Sequence, residues 1–172
     1  MTTKLNPQWI VGFVDGEGCF NLDAHIKKDM KWKVQLQPEF TVVQNEIDLQ
    51  ILYALKEYFG CGTVTVNRTD KSGTRWQFRV KSITELTEKI IPFFEEHSLK
   101  TKKKIEFQSF RTICLQMKAK YHLNSLKNFL EIVDQGTQLR VRLHPKAKST
   151  KSTKLDEQIA CLKEDLRLNS NL

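Results

Sequence analysis

The sequence predicts an α+β domain: one four-stranded antiparallel sheet, helices packed on one of its faces, and extra helices at the C-terminal end. Three observations carry this. Two stretches, residues 20–42 and 63–81, alternate apolar and polar side chains on either side of a short polar turn, as half-buried hairpins do. Segments with apolar residues at helical spacing stand before, between and after them, so residues 1–98 read helix, hairpin, helix, hairpin, helix. At 172 residues, the chain is long enough for one domain with a real core. Strands that are greasy on one face only form an antiparallel sheet with helices on that face and a free polar face opposite.

The first helix is expected in Trp9-Ile10-Val11-Gly12-Phe13-Val14-Asp15-Gly16-Glu17-Gly18. Pro7 stands where a helix can begin without losing a needed N–H. The apolar residues of this run, with Phe20 just beyond, point to a buried helix. Gly12 and Gly16 are four apart, on one face, and leave room for another backbone to approach. Gly18 suits a helix exit. Asp15 and Glu17 therefore fall on the last turn, where open carbonyls carry about half a negative charge. Two carboxylates there are unfavourable unless a cation joins them; a divalent metal on a carboxylate and a neighbouring carbonyl would supply it. The same residues also fit a core helix that ends in two solvated acids.

In the first hairpin, Phe20, Leu22, Ala24 and Ile26 oppose Asn21, Asp23, His25 and Lys27. After a tip at residues 28–31, Trp32, Val34, Leu36, Pro38, Phe40 and Val42 oppose Lys33, Gln35, Gln37, Glu39 and Thr41. Pro38 suggests an edge position or an irregularity. Asn45 can cap a helix, with Asp48 in a capping-box-like place, and Ile47, Ile51, Leu52 and Leu55 follow at helical spacing. Gly60-Cys61-Gly62 ends it. In the second hairpin, Val64 and Val66 oppose Thr65 and Asn67, with Arg68 beside the turn at residues 70–73; Trp76, Phe78 and Val80 then oppose Arg75, Gln77 and Arg79. Ser82 and Glu85 open a helix that Pro92 should interrupt. The second face of both hairpins is rich in the residue types that read base edges in a DNA major groove, although a solvated sheet face has the same composition.

A basic helix begins at residues 99–104 and runs through Phe107, Phe110 and Met117; another carries Leu123 to about Gln135. Between Arg140 and Lys154 there are six basic residues and no acid, a loop suited to phosphates through residues such as Lys148 and Lys151. A terminal amphipathic helix is expected over 155–168. Residues 1–135 are thus read as the core domain, and 136–172 as a basic loop and helix of the same domain. The net charge of +8 fits a polyanionic partner, or simply a basic protein. No apolar run approaches 18 residues, so no membrane span is expected, and the N-terminus lacks an apolar signal core. Four scattered cysteines read as free thiols in a reducing compartment.

Residues 10–18, IVGFVDGEG, resemble the LAGLIDADG motif of homing endonucleases: the glycines match at Gly12 and Gly18 and the acids at Asp15 and Glu17, with Gly16 in the place of the usual alanine. The resemblance extends over residues 5–135. It implies a saddle-shaped αββαββα core that grips double-stranded DNA with its sheet. One motif implies a homodimer, with Trp9, Gly12, Phe13, Asp15 and Gly16 at the seam. It also implies a site-specific DNA endonuclease that makes a double-strand break in a long pseudo-palindromic target by metal-dependent phosphodiester hydrolysis. Glu17 and the carbonyl of Gly16 would hold Mg2+ or Mn2+, with Ca2+ binding but not supporting cleavage, and no organic cofactor. Gln44 matches a residue that orders active-site water, and Lys100 one near the scissile phosphate, although it also fits one phosphate-binding lysine among many. Asp48 departs from the pattern, since relatives often have a basic residue there. An intron-splicing maturase and a non-cleaving DNA-binding protein are the alternatives. Such proteins are usually encoded in introns of organellar or microbial genomes.

Overall fold

The computed structural model describes residues 3–143 and 154–170. Helix α1 (Pro7–Glu17) leads into the hairpin β1 (Gly18–Ile26) and β2 (Val34–Asn45). A 3-10 turn (Glu46–Asp48) and α2 (Leu49–Phe59) follow, then the hairpin β3 (Thr63–Asp70) and β4 (Gly73–Val80). Next come α3 (Ile83–Glu85), a π-helical turn (Leu86–Ile90), α4 (Ile91–Glu96), α5 (Lys103–Lys118), α6 (Tyr121–Asn124), α7 (Leu126–Leu143) and α8 (Lys154–Ser170). The strands form one antiparallel sheet in the order β1-β2-β4-β3, so the αββαββα order expected from the sequence is the order observed. No helix among the described residues is long and apolar enough to cross a membrane.

Helix α1 starts where Asn6 Oδ1 accepts the N–H of Trp9 and Pro7 occupies the first turn. It does not leave through a left-handed glycine. Gly18 is extended at φ −75°, and its need for glycine is spatial: a Cβ there would lie 2.5 Å from Val14 Cγ1 and 2.8 Å from Val14 O. Gly60, at φ 58°, is the left-handed cap of α2. The capping box expected at Asn45 and Asp48 does not form. Asn45 Oδ1 accepts from the N–H of Ile47 and opens the 3-10 turn, which turns Ile47 outward to 81% exposure, while Asp48 makes no side-chain cap bond. Pro92 does not stop its helix either. The π-helical turn, in which the N–H of Ile91 reaches Leu86 O, widens the ladder just before the proline, and α4 continues through it.

Strand β2 is central, yet it accommodates Pro38. Its ladder to β4 begins only at the pair Phe40–Val80, so on that side Pro38 faces an open edge. The first tip is longer than expected: Lys27 N–H donates to Lys33 O, and Trp32 and Lys33 (φ 56°) belong to the loop, not the strand. Trp32 Nε1 donates to His122 O, and Lys31 Nζ donates to Leu123 O at 2.7 Å, so the tip is clasped to α6. In the second hairpin a bulge between Val66 and Arg68 places Arg68, not Asn67, opposite Arg75.

The helices lie on the apolar face. Phe20 on β1 stands 5.1–5.7 Å from the rings of Phe40, Phe94, Phe107 and Phe110, and this aromatic cluster joins sheet, α4 and α5. Helix α7 does not end near Gln135 but runs to Leu143, so residues 136–143 of the expected loop are helical. Gly136 lets α7 lie directly on β1: a Cβ there would be 2.5 Å from Leu22 Cδ2. Helix α8 packs on α7 with Leu162 buried, and Lys163 Nζ meets Asp134 Oδ1 at 2.8 Å.

Candidate DNA interface and acidic helix end

The two acids at the end of α1 have different surroundings. Asp15 is engaged within its own chain: it accepts the N–H of Lys100 at 2.8 Å, the N–H of Thr101 at 3.2 Å and the Thr101 hydroxyl at 2.8 Å. This is a tie across its own fold, where unpaired amides at the approach to α5 suit a carboxylate. Glu17 is exposed and has no hydrogen-bond or ion-pair partner among the described residues. Lys100 is exposed too, and the Asp15 tie puts it at the same junction. Gln44 pairs with Trp76, on the helix-bearing face, two residues beyond the pair Gly18–Val42. Continued past Gly18, that register runs alongside the last turn of α1.

Sequence reasoning overlooked Lys103. Its ammonium donates to Gly18 O at 2.6 Å and lies 3.7 Å from Glu106 Oε2. The negative helix end therefore already has a cation from within the chain. A signal was present: Lys103 and Glu106 occupy the same helical stripe as Phe107, Phe110 and Cys114, where apolar residues belong. Nearby, burial is the main cause that pushes the Cys19 thiol up from its ordinary value, with Lys103 opposing and Glu106 and Glu39 reinforcing. Among the described residues, no group of three or more His, Cys, Asp or Glu side chains could hold a metal ion.

The sheet gathers the expected polar residues on its far face. Cross-strand pairs Asn21–Glu39, Asp23–Gln37, His25–Gln35, Thr65–Gln77 and Arg68–Arg75 set them side by side. Several are held by neighbours. Asn21 Nδ2 donates to Asp23 Oδ1, Gln37 Nε2 donates to Lys81 O at 2.9 Å, and Glu39 lies 3.9 Å from Arg79 and 3.7 Å from Lys81. Thr41 and Gln77, expected to be available, are each only 9% exposed, with Gln77 turned to Thr65 Oγ1. His25, Asn67 and Arg75 are the more open members, and Lys33 is exposed in the loop of the first tip; Lys27 sits near Asp29 and Arg68 near Asp70. Lys148 and Lys151 lie outside the described residues.

Helix α1 is apolar on two sides. Ile10, Val11 and Val14 face the core. Trp9, Gly12, Phe13 and Gly16, spaced i, i+3, i+4 and i+7, form a second stripe: Trp9 is 39% exposed and stacks on Phe13 at 4.7 Å. A Cβ on Gly12 or Gly16 would meet nothing within 4 Å, so nothing among the described residues explains these glycines.

A four-stranded antiparallel sheet with helices on one face, a polar, hydrogen-bonding face opposite and an acid-bearing helix end beside it define the class: an αββαββα domain with an open polar sheet face. Comparison with known proteins narrows this. Residues 10–114 match the family model described as LAGLIDADG endonuclease, and the chain belongs to that family. The crystal structure of a homing endonuclease, I-TnaI, superposes with a TM-score of 0.76 at 36% identity, covering 96% of this chain and 100% of that one. The I-LtrWI LAGLIDADG homing endonuclease bound to target DNA gives a TM-score of 0.72 at 31% identity, over 79% of this chain and 44% of that one. A probable intron-encoded endonuclease 2 of Neurospora crassa is 35% identical over 131 residues, 74% of this chain and 28% of its own. The chain spans about a third or less of the length of the first curated relatives it matches, 26–35%.

Proposed function

We propose that the protein is a site-specific DNA endonuclease that acts as a homodimer. One observation carries the reading: of the two acids ending α1, Asp15 is fully engaged and Glu17 stands exposed and unpartnered among the described residues. Family membership and the DNA-bound relative support it. The sheet's polar face lies along the duplex, with His25, Arg68 and Arg75 reaching base edges and Lys33 and the 148–151 lysines reaching phosphates. The outer stripe of α1 packs on its copy, and the bare Gly12 and Gly16 let the two helices close up. Two Glu17 carboxylates, one from each copy, then meet at the centre of the site. The described chain, core and C-terminal helices together, acts as one domain.

The residues fit a hard divalent cation. Glu17 and the carbonyl of Gly16 offer only oxygen, and so few protein donors leave room for water and phosphate, as magnesium prefers. When bound, such an ion neutralises charge developing on the phosphate and the leaving oxygen. Manganese would serve likewise, and calcium would bind without cleavage. Around it, Lys100 presents its ammonium to the scissile phosphate, and Gln44 holds water beside the helix end.

The test is incubation with DNA spanning a candidate intron insertion site, in magnesium and in EDTA. A discrete double-strand cut is expected with magnesium alone, and Glu17→Gln is expected to bind but not cut. Cleavage by Glu17→Gln at the wild-type rate would overturn the assignment.

A further inference from the structure

The short segment carrying Glu17 is tied down on both sides by α5 and its approach. Upstream, Asp15 holds the amides of Lys100 and Thr101. Downstream, Lys103 Nζ holds Gly18 O at 2.6 Å. Lys103 is 14% exposed and Glu106 is 5% exposed, and Glu106 Oε2 is buried with no hydrogen-bond partner. Burying an ion pair in an apolar stripe carries a desolvation cost, and well-packed apolar residues would hold α5 on the core at least as well. The pair therefore calls for a reason beyond packing. Gly18 O supplies one. It lies where helix turns to strand, at the negative pole of α1, and a cation there is favourable. Asp15 through Thr101, and Cys19 with Glu39, are further charged or ionisable groups around this turn, beside Glu17 and Lys100.

We propose that Lys103, balanced by Glu106, is a positioning residue for Glu17. Its ammonium pins Gly18 O, one residue after Glu17, as the amides of Lys100 and Thr101 pin Asp15, two residues before it, and the two ties fix Glu17 relative to Lys100. This rests on the reading of Glu17 as the reacting end. Lys103 itself is turned to the main chain and touches no substrate. Its placement matters because small displacements of reacting groups cost rate disproportionately.

Lys103→Met alone strands Glu106 without its counter-charge, so the test uses the double variant Lys103→Met with Glu106→Gln, and Lys103→Arg as the conservative change. The double variant is expected to fold and to bind target DNA in calcium with a Kd near wild type. Its single-turnover cleavage in magnesium is expected to slow by about 10- to 100-fold, with Lys103→Arg recovering most of the rate. In the DNA-free protein, the carbonyl carbon resonance of Gly18 is expected to shift in the double variant, and amide exchange of Gly16, Glu17 and Gly18 to accelerate. Wild-type cleavage by the double variant overturns the proposal. So do an unshifted Gly18 carbonyl and unchanged exchange. If the wild type cuts no DNA, it is the functional reading that fails; the resonance and the exchange rates still decide whether Lys103 holds this segment.

Discussion

Asp15 and Lys100, 85 positions apart in the chain, meet through a carboxylate that accepts the lysine's backbone N–H at 2.8 Å. The bond uses the main chain of Lys100 and leaves its ammonium free to point elsewhere. Asp15→Ala should remove this bond together with both bonds to Thr101, for a loss of about 1–3 kcal/mol in stability. Asp15→Asn, which keeps an acceptor oxygen, should lose less. Urea unfolding of dilute protein checks the order; equal losses for both variants would show that the hydrogen bonds do not hold the junction.

Two glycines in helices should respond oppositely to alanine. Gly12→Ala finds open space within the chain and should stabilise the isolated chain by up to about 1 kcal/mol through helix propensity. It should at the same time weaken association, since the new methyl stands where the second helix would approach. Gly136→Ala drives a methyl into Leu22 and should destabilise by about 1–3 kcal/mol despite the same propensity gain. Unfolding curves read the stabilities, and sedimentation over a dilution series reads association. Unaltered association of Gly12→Ala would remove the case for α1 as the seam.

On the sheet, Arg75 is exposed, whereas the Gln37 amide already donates to Lys81 O. Arg75→Ala should relax base preference at one position in each half-site, by about 1–3 kcal/mol. Gln37→Ala should relax it less. Cleavage of a library of singly substituted targets measures both, and a target profile indifferent to Arg75 would count against the sheet as the reading surface.

Burial lowers the His122 pKa below its ordinary 6.5. The unfolded chain therefore binds this proton first as pH falls through 6.5, and the folded state loses stability until its own depressed pKa is passed. The clasp of the first hairpin tip on α6, which uses His122 O, should feel this loss. Denaturation midpoints at a series of pH values should fall more steeply on acidification for the wild type than for His122→Gln. Identical slopes would mean that His122 does not contribute.

The hairpins, the strand faces and α1 were legible because each is written in a local period: alternation for Phe20 to Ile26, helical spacing for Ile10 to Val14. What was not legible depends on contacts distant in sequence or on backbone detail. Gly18 looked like a left-handed cap and is a close contact with Val14. The helix expected to stop near Gln135 continues, and Gly136 is its crossing point with Leu22. Ile47 fitted a helical stripe, but a 3-10 turn swings it outward. At the site, the motif acids could be read directly, while the tie of Asp15 to Thr101 and that of Gly18 O to Lys103 could not, since both join parts of the chain far apart in sequence.

Helix α1 carries, within eleven residues, both the outer stripe of Trp9, Gly12, Phe13 and Gly16 and the acid Glu17 at its end. Under the proposed pairing, meeting a second copy and completing the cutting site are one event. While copies are scarce, the number of competent assemblies then rises with the square of protein abundance, so halving expression quarters the cutting. A genome hosting the gene is shielded at low expression by arithmetic alone, without an inhibitor.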